Sequence, residues 1–179
     1  MIKPHIDKAH SLWKNHVKMG DTIIDATCGN GHDSLYLSNL LKESGTLYCI
    51  DIQKQAIIET QKRLKSASNV QFLHQSHETL PPCSPSLIVY NLGYLPGSDK
   101  QVKTVADSTL RSLEVSAKLL SVNGICSIMC YPGHTEGLTE QKEILNWAQN
   151  LECNQFRVSY LQWVNKANHP SLLVVEKLK

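Results

Sequence analysis

The chain has no C-x-x-C pair, no internal repeat, no linker or low-complexity segment, and no apolar run approaching the ~20 residues of a membrane span. The first absence excludes zinc sites and redox motifs of the usual spacing. The last excludes a helical membrane protein. The first seven residues, M-I-K-P-H-I-D, lack the continuous apolar core of a signal peptide, so a cytoplasmic protein is expected. Six cysteines are scattered (Cys28, Cys49, Cys83, Cys126, Cys130 and Cys153), several inside apolar runs where a reduced thiol behaves as a small hydrophobe. They read as structural thiols, and no metal is expected.

Apolar residues make up 41% of the chain and charged ones 19%, so it can bury a core, and disorder is excluded. Its 179 residues suit one domain, 1–179. The net charge of +2 is small, but it is unevenly spread. Lysines gather in residues 1–20 and basic residues again in 157–179, around a mildly acidic centre. Basic ends of this kind can hold a polyanion at one rim.

Apolar periodicity predicts a short helix over 7–17 and strands at 22–24 and 46–50, the second closed by Asp51. A helix over 53–66 and strands at 70–74 and 87–90 follow. Pro81, Pro82 and Pro85 forbid a regular helix in the connection before the 87–90 strand. A long loop over 91–106 precedes a helix over 107–120. A strand at 125–129, a helix over 138–149 and strands at 156–164 and 172–176 complete the chain. The last two are separated by too few residues for a crossover helix and must pair antiparallel. The pattern specifies an α/β fold: a doubly wound, Rossmann-like, mostly parallel seven-stranded sheet with a C-terminal antiparallel hairpin.

Residues 25–33 read D-A-T-C-G-N-G-H-D, between the first strand and the apolar-periodic stretch that opens the second helix. A strand ending in a glycine turn that opens a helix exposes backbone N–H groups to a nucleotide-like ligand. Gly29-Asn30-Gly31 supplies G-x-G, but Ser34 stands where a dinucleotide site needs its third glycine. Asp25 closes the first strand, at the mouth of the turn. Asp51 closes the second, 20 residues beyond Gly31, where an acid grips ribose hydroxyls. An amine-bearing, phosphate-free ligand with a ribose meets both acids. S-adenosylmethionine is such a ligand, with methionine over residues 25–31, including Thr27 and Asn30. Its ribose would lie at Asp51 and Ile52, and its adenine near Ser76 and His77. Asp33 reads either as part of this site or as a helix cap.

The reacting end is expected where the 87–90 strand stops, because ligands bind outside the carboxyl ends of parallel strands. The sequence there, N-L-G-Y-L-P-G-S-D-K, resembles the N-P-P-Y signature of amino-group methyltransferases, with Leu92 and Gly93 in place of the prolines. A primary amine attacks a methyl group with its lone pair, so its hydrogens need acceptors. The Asn91 side-chain oxygen and the Leu92 or Gly93 carbonyl can supply them, and Tyr94 offers an aromatic face. Asp99 and His134 are candidate proton acceptors, and Lys100 a candidate phosphate contact. Asn168 and His169, in the last hairpin, are placed at the same mouth. His10 and His16 are assigned to surface or packing.

Together, D-A-T-C-G-N-G-H-D, N-L-G-Y-L-P-G-S-D-K, Y-P-G-H-T-E-G and N-K-A-N-H-P-S-L-L-V-V-E-K resemble, in order and over the whole length, the small bacterial class I methyltransferases labelled rRNA methylases. The resemblance implies methylation of the amine of 5-aminomethyl-(2-thio)uridine at the tRNA wobble position. It implies S-adenosylmethionine as cofactor and the tRNA anticodon loop as partner, with a homodimer as a candidate assembly. By motif it places Asp25, Gly29, Asn30, Gly31, Asp33 and Asp51 on the cofactor. Asn91, Tyr94, Asp99, Lys100 and His134 fall on the acceptor side.

Overall fold

The computed structural model describes residues 4–65, 67–92, 106–166 and 168–179. Seven strands form one sheet: β1 (Thr22–Asp25), β2 (Thr46–Asp51), β3 (Val70–His74), β4 (Leu87–Asn91), β5 (Ile125–Cys130), β6 (Phe156–Leu161) and β7 (Ser171–Lys177). Their order is β3-β2-β1-β4-β5-β7-β6. The first five are mutually parallel, and β7 runs antiparallel to both β5 and β6. The doubly wound sheet with an antiparallel C-terminal hairpin is therefore as the sequence specifies.

Among the described residues, five helices flank the sheet: α1 (Pro4–His16), α2 (His32–Leu41), α3 (Lys54–Arg63), α4 (Ala106–Leu119) and α5 (Thr135–Gln149). Trp13, Leu37, Leu41 and Ile57 bury one face of the sheet, with Ile23, Leu87, Val89 and Met129 beneath them. Leu113, Ile144 and Ala148 bury the other, over Ile24, Ile88, Tyr90 and Ile128. The alternation of these positions along β1, β4 and β5 follows the two-residue period of a strand buried on both sides. Four cysteines (Cys28, Cys49, Cys126 and Cys130) are buried in the core, and all six are free thiols.

α1 runs against the direction of β4 and β5. Near its start, the His5 ring meets Tyr131, just past the end of β5, edge-on at 6.0 Å. One turn before its end, the Trp13 indole N–H donates to Ser127 Oγ at 2.9 Å. At its end, His16 Nε2 lies 2.9 Å from the Ser86 carbonyl, just before β4. The helix therefore spans the sheet from the carboxyl edge to the amino edge.

That orientation corrects the expected concentration of basic residues at one rim. Lys18 follows α1 and lies at the amino edge, its backbone N–H bonded to Asp21 Oδ2. Lys177 ends β7 at the same edge, its Nζ donating to the Lys118 and Leu120 carbonyls. Lys8, on the first half of α1, and Lys166, in the β6–β7 connection, remain near the carboxyl edge.

Boundaries differ from the sequence expectation at several ends. α5 starts three residues earlier, at Thr135, because His134 caps it by accepting from the Gly137 N–H. β6 stops at Leu161 rather than 164, since Leu161 opposite Leu172 is the last rung of the hairpin ladder. α3 ends at Arg63. The β3–β4 connection contains no helix, as its prolines require.

The Trp13–Ser127 bond ties α1 to the sheet in a site where both residues are buried. Ser127→Ala leaves the indole N–H without a partner and is expected to lower unfolding stability by about 1–3 kcal/mol. Urea titration of this variant, Trp13→Phe and the double variant should show a double-variant loss smaller than the sum of the singles.

Candidate active site

The carboxyl ends of β1, β2 and β4 meet where the turn after β1 enters α2. Three backbone bonds assemble that edge: Ala26 N–H to the Val89 carbonyl, Cys28 N–H to Ile50, and Gly31 N–H to Cys28, each at 2.8–2.9 Å. Gly29 and Gly31 adopt positive φ of 52° and 74°. A Cβ on Gly31 would come within 2.9 Å of Thr60, so both conformation and space require glycine there. Thr60 Oγ1 donates to the Gly29 carbonyl at 3.0 Å, and Arg63 Nε to the Asn30 carbonyl at 2.8 Å. α3 thereby holds the turn from outside.

Asp25 lies deeper than a residue at the mouth. Its side chain is fully buried, and Ser34 Oγ donates to Oδ2 at 2.6 Å while the Thr27 N–H reaches Oδ1. Burial pushes its carboxyl up to about 7, against the pull of the Ser34 and Thr27 bonds. Ser34, the residue that breaks the dinucleotide pattern, is thus the hydroxyl that satisfies Asp25. Asp51 is fixed by two backbone donors, Gly29 N–H at 3.0 Å and Gln53 N–H at 2.8 Å. Burial raises its carboxyl above the usual range, partly offset by those two bonds. Ile52 beside it is 59% exposed, an apolar surface next to the acid.

Beyond β3, Ser76 Oγ accepts from the Glu78 N–H at 3.2 Å. The His77 ring packs edge-on to Tyr90 at 5.9 Å, and Ser112 Oγ donates to the His77 carbonyl at 2.7 Å. Burial lowers the His77 pKa, so the imidazole is neutral at neutral pH. Its Nε2 is buried and, among the described residues, has no hydrogen-bond partner. A buried polar atom without a partner at the expected adenine position fits a ligand that brings its own hydrogen-bonding edge.

Asn91 ends β4. Its backbone N–H donates to Thr27 Oγ1 at 2.7 Å, and its side-chain Nδ2 donates to Asp33 Oδ2 at 2.9 Å. Asp33, in the first turn of α2, also receives His10 Nε2 at 2.7 Å on its other oxygen. Asp33 therefore joins the predicted acceptor residue to α1. Its carboxylate serves Asn91 and His10, not only the helix end. Leu92 is buried, with its N–H on the Met129 carbonyl, which leaves its backbone carbonyl as the group to offer. His134 lies past β5, where its Nδ1 caps α5. Asn168 (φ 55°) and His169 are exposed in the β6–β7 connection, at the carboxyl edge. Gly93, Tyr94, Asp99 and Lys100 lie outside the described residues.

The sequence reading assigned His10 to surface or packing and missed Ser34, Thr60 and Arg63 as supports of the turn. The available signal for His10 was its place on α1, between the buried Ala9 and Trp13. Among the described residues there is no group of three or more His, Cys, Asp or Glu able to hold a metal, and no helix long and apolar enough to cross a membrane.

Strand order and a reversed seventh strand, with the glycine turn between β1 and α2, define a class I methyltransferase fold. The chain belongs to the family described as "Putative rRNA methylase", whose model matches residues 47–177. It is 30% identical over 191 aligned positions to the chloroplastic tRNA (mnm(5)s(2)U34)-methyltransferase of Arabidopsis thaliana, covering 98% of this chain and 70% of that protein. It superposes on a "putative rRNA-methylase" from Clostridium thermocellum with TM-score 0.94 and 32% identity, over 99% of this chain and all of the other. A "putative methyltransferase" from Streptococcus mutans, solved in complex with SAH, matches with TM-score 0.89 and 32% identity at the same coverage.

The raised Asp25 pKa carries a pH signature. The folded chain keeps a proton that the unfolded chain has released between its ordinary value of 3.8 and about 7. Stability is therefore expected to fall as pH rises through that window, and Asp25→Asn to flatten the dependence. Urea midpoints at pH 5, 6, 7 and 8 for both proteins check this; parallel curves would place the titration elsewhere.

Proposed function

We propose that this protein is an S-adenosylmethionine-dependent tRNA N-methyltransferase acting at the wobble position. It converts the amine of 5-aminomethyl-(2-thio)uridine to the 5-methylaminomethyl form. The observation that carries the reading is Asn91, which stands at the carboxyl end of β4 with its amide NH2 engaged by Asp33. Its Oδ1 is then the end of the amide that can accept an amine hydrogen. The Arabidopsis relative, whose name specifies the same nucleoside position, supports the choice of acceptor.

The residues present fit the cofactor. Asp51 takes the ribose hydroxyls, the lone pairs left by its two backbone donors being available to them. The turn at Gly29, Asn30 and Gly31 takes the methionine portion, its course set from below by the buried Asp25 through Thr27 and Ser34. Ile52 and the Ser76–His77 segment take the adenine, where the buried His77 Nε2 finds a partner. When bound, S-adenosylmethionine supplies an electrophilic methyl group on its sulfonium.

Catalysis rests on alignment. Asn91 Oδ1 and the Leu92 or Gly93 carbonyl take the amine hydrogens, which turns the nitrogen lone pair toward the methyl group. Tyr94 supplies the face against the flat base. Asp99 is the group assigned to receive the proton of the incoming ammonium; His134, given the same role from the sequence, has its acceptor nitrogen engaged by the Gly137 N–H at the start of α5. On the RNA side, Lys8 on α1 and Lys166 in the β6–β7 connection lie at the catalytic edge, with Lys166 Nζ 6.0 Å from the Trp163 ring centroid. A lysine beside a part-exposed tryptophan suits phosphate and base of an anticodon loop.

Nucleoside mass spectrometry of tRNA lacking the final methyl, before and after incubation with the protein and S-adenosylmethionine, tests the reading. Conversion to the 5-methylaminomethyl nucleoside is expected. No conversion there, with turnover on rRNA or a small-molecule amine, would move the acceptor and keep the chemistry. Asn91→Ala should spare cofactor binding and cut turnover on the order of a hundredfold, comparable to losing one aligned hydrogen-bond partner. Asp51→Ala should weaken cofactor binding first, as read by calorimetry.

A further inference from the structure

We propose that His10 is a positioning residue for methyl transfer, acting through Asp33 to lock the Asn91 amide in its acceptor-facing orientation. The proposal rests on the methyltransferase reading and deepens it.

An asparagine amide has one donor end and one acceptor end of nearly equal size, and rotation about the last side-chain bond exchanges them. A methyl-accepting amine needs the oxygen. Asp33 selects it, because a carboxylate accepts and does not donate. With Asp33 Oδ2 at 2.9 Å, the end of Asn91 turned toward it must be NH2, and Oδ1 is left for the substrate. The flipped amide would set oxygen against oxygen. The Asn91 backbone is pinned as well, by its N–H on Thr27 Oγ1.

Asp33 can perform this selection only if it is held still, and His10 holds it. Nε2 of His10 lies 2.7 Å from Asp33 Oδ1, with the two side chains 24% and 16% exposed. The imidazole stacks on Tyr36 at 3.9 Å and 10°, and Trp13 lies 5.0 Å away. The Tyr36 hydroxyl donates to the His10 carbonyl at 3.1 Å, which fixes the helix to the same ring. The sequence of contacts therefore runs from the packed stack on α1 and α2, through a carboxylate, to the β4 end.

The chain of groups also has a direction that suits the reaction. As the amine nitrogen forms its bond to the methyl carbon, the carbon–sulfur bond breaks with its electron pair going to sulfur. Positive charge then develops on nitrogen, and a proton leaves for the surrounding acceptors. An amide with its NH2 on a carboxylate presents the negative end of its dipole to that nitrogen. Losing the His10 bond loosens the array without removing any group that touches substrate or cofactor.

His10→Phe keeps a flat ring for the stack and removes the N–H, whereas His10→Gln keeps a donor at the reach of Nε2. With the undermethylated tRNA, His10→Phe is expected to lower kcat about tenfold, with the dissociation constant for S-adenosylmethionine unchanged by calorimetry and His10→Gln within about threefold of wild type. Unchanged kcat in His10→Phe, or a loss that tracks cofactor affinity, would overturn the proposal. A second readout needs no acceptor: the Asn91 side-chain amide pair in nitrogen–proton spectra should shift in both Asp33→Ala and His10→Phe, and return in His10→Gln. If wild-type protein fails to methylate this tRNA, the tRNA reading falls and the spectra alone decide the inference. An amide pair unmoved by His10→Phe would end it.

Discussion

Everything at the catalytic edge depends on one buried carboxylate. Asp25 sits at the end of β1 with no exposure to water, a costly place for a group that ionises. Its two partners are supplied by the turn that follows it: the Thr27 N–H and the Ser34 hydroxyl. Because Ser34 lies in the first turn of α2, satisfying Asp25 also sets how that helix leaves the sheet. The residue before it, Asp33, is thereby aimed across to β4. The two acids thus differ in kind. Asp25 shapes the turn from below, and Asp33 reaches sideways to Asn91 and His10.

This arrangement makes the turn after β1 and the end of β4 different in kind. The turn is built almost wholly from backbone, bonded to Val89 and Ile50, with Asp51 held by two main-chain N–H groups. Such a site is rigid because its partners belong to the parallel sheet. The end of β4 is joined to its surroundings through side chains, whose orientation has to be imposed by neighbours. α1, which starts at the catalytic edge and runs back along β4 and β5, brings the neighbour. A helix before the first strand contributes no motif, yet here it supplies the ring that meets Asp33, the partner of Asn91.

The parts of this site visible in the sequence are those whose signal is local. Each strand is an apolar run, and strands buried on both faces need no partner to be identified. The glycine turn is visible because positive φ demands glycine at Gly31, and Asp51 because a strand-end acid sits at a fixed distance from it. Prolines before β4 exclude a helix without reference to anything else. The element ends were harder, since they are set by contacts: His134 starts α5 by accepting a backbone N–H, and Leu172 stops β6 by being its last partner.

What the sequence hid are contacts between distant residues. His10 and Asp33 are 23 positions apart, and Asp33 and Asn91 58, so no spacing rule links them. Ser34 was legible only as a failure, a missing glycine, until its hydroxyl was found on Asp25. The same residue that argues against a dinucleotide explains why the strand-end acid can be buried at all. A glycine at that place would leave Asp25 with one backbone donor in a dry pocket, which would drive the carboxyl further toward its neutral form. The departure from the dinucleotide pattern and the burial of the strand-end acid are therefore one physical fact, visible in the sequence as a missing glycine and in the fold as the Ser34–Asp25 hydrogen bond.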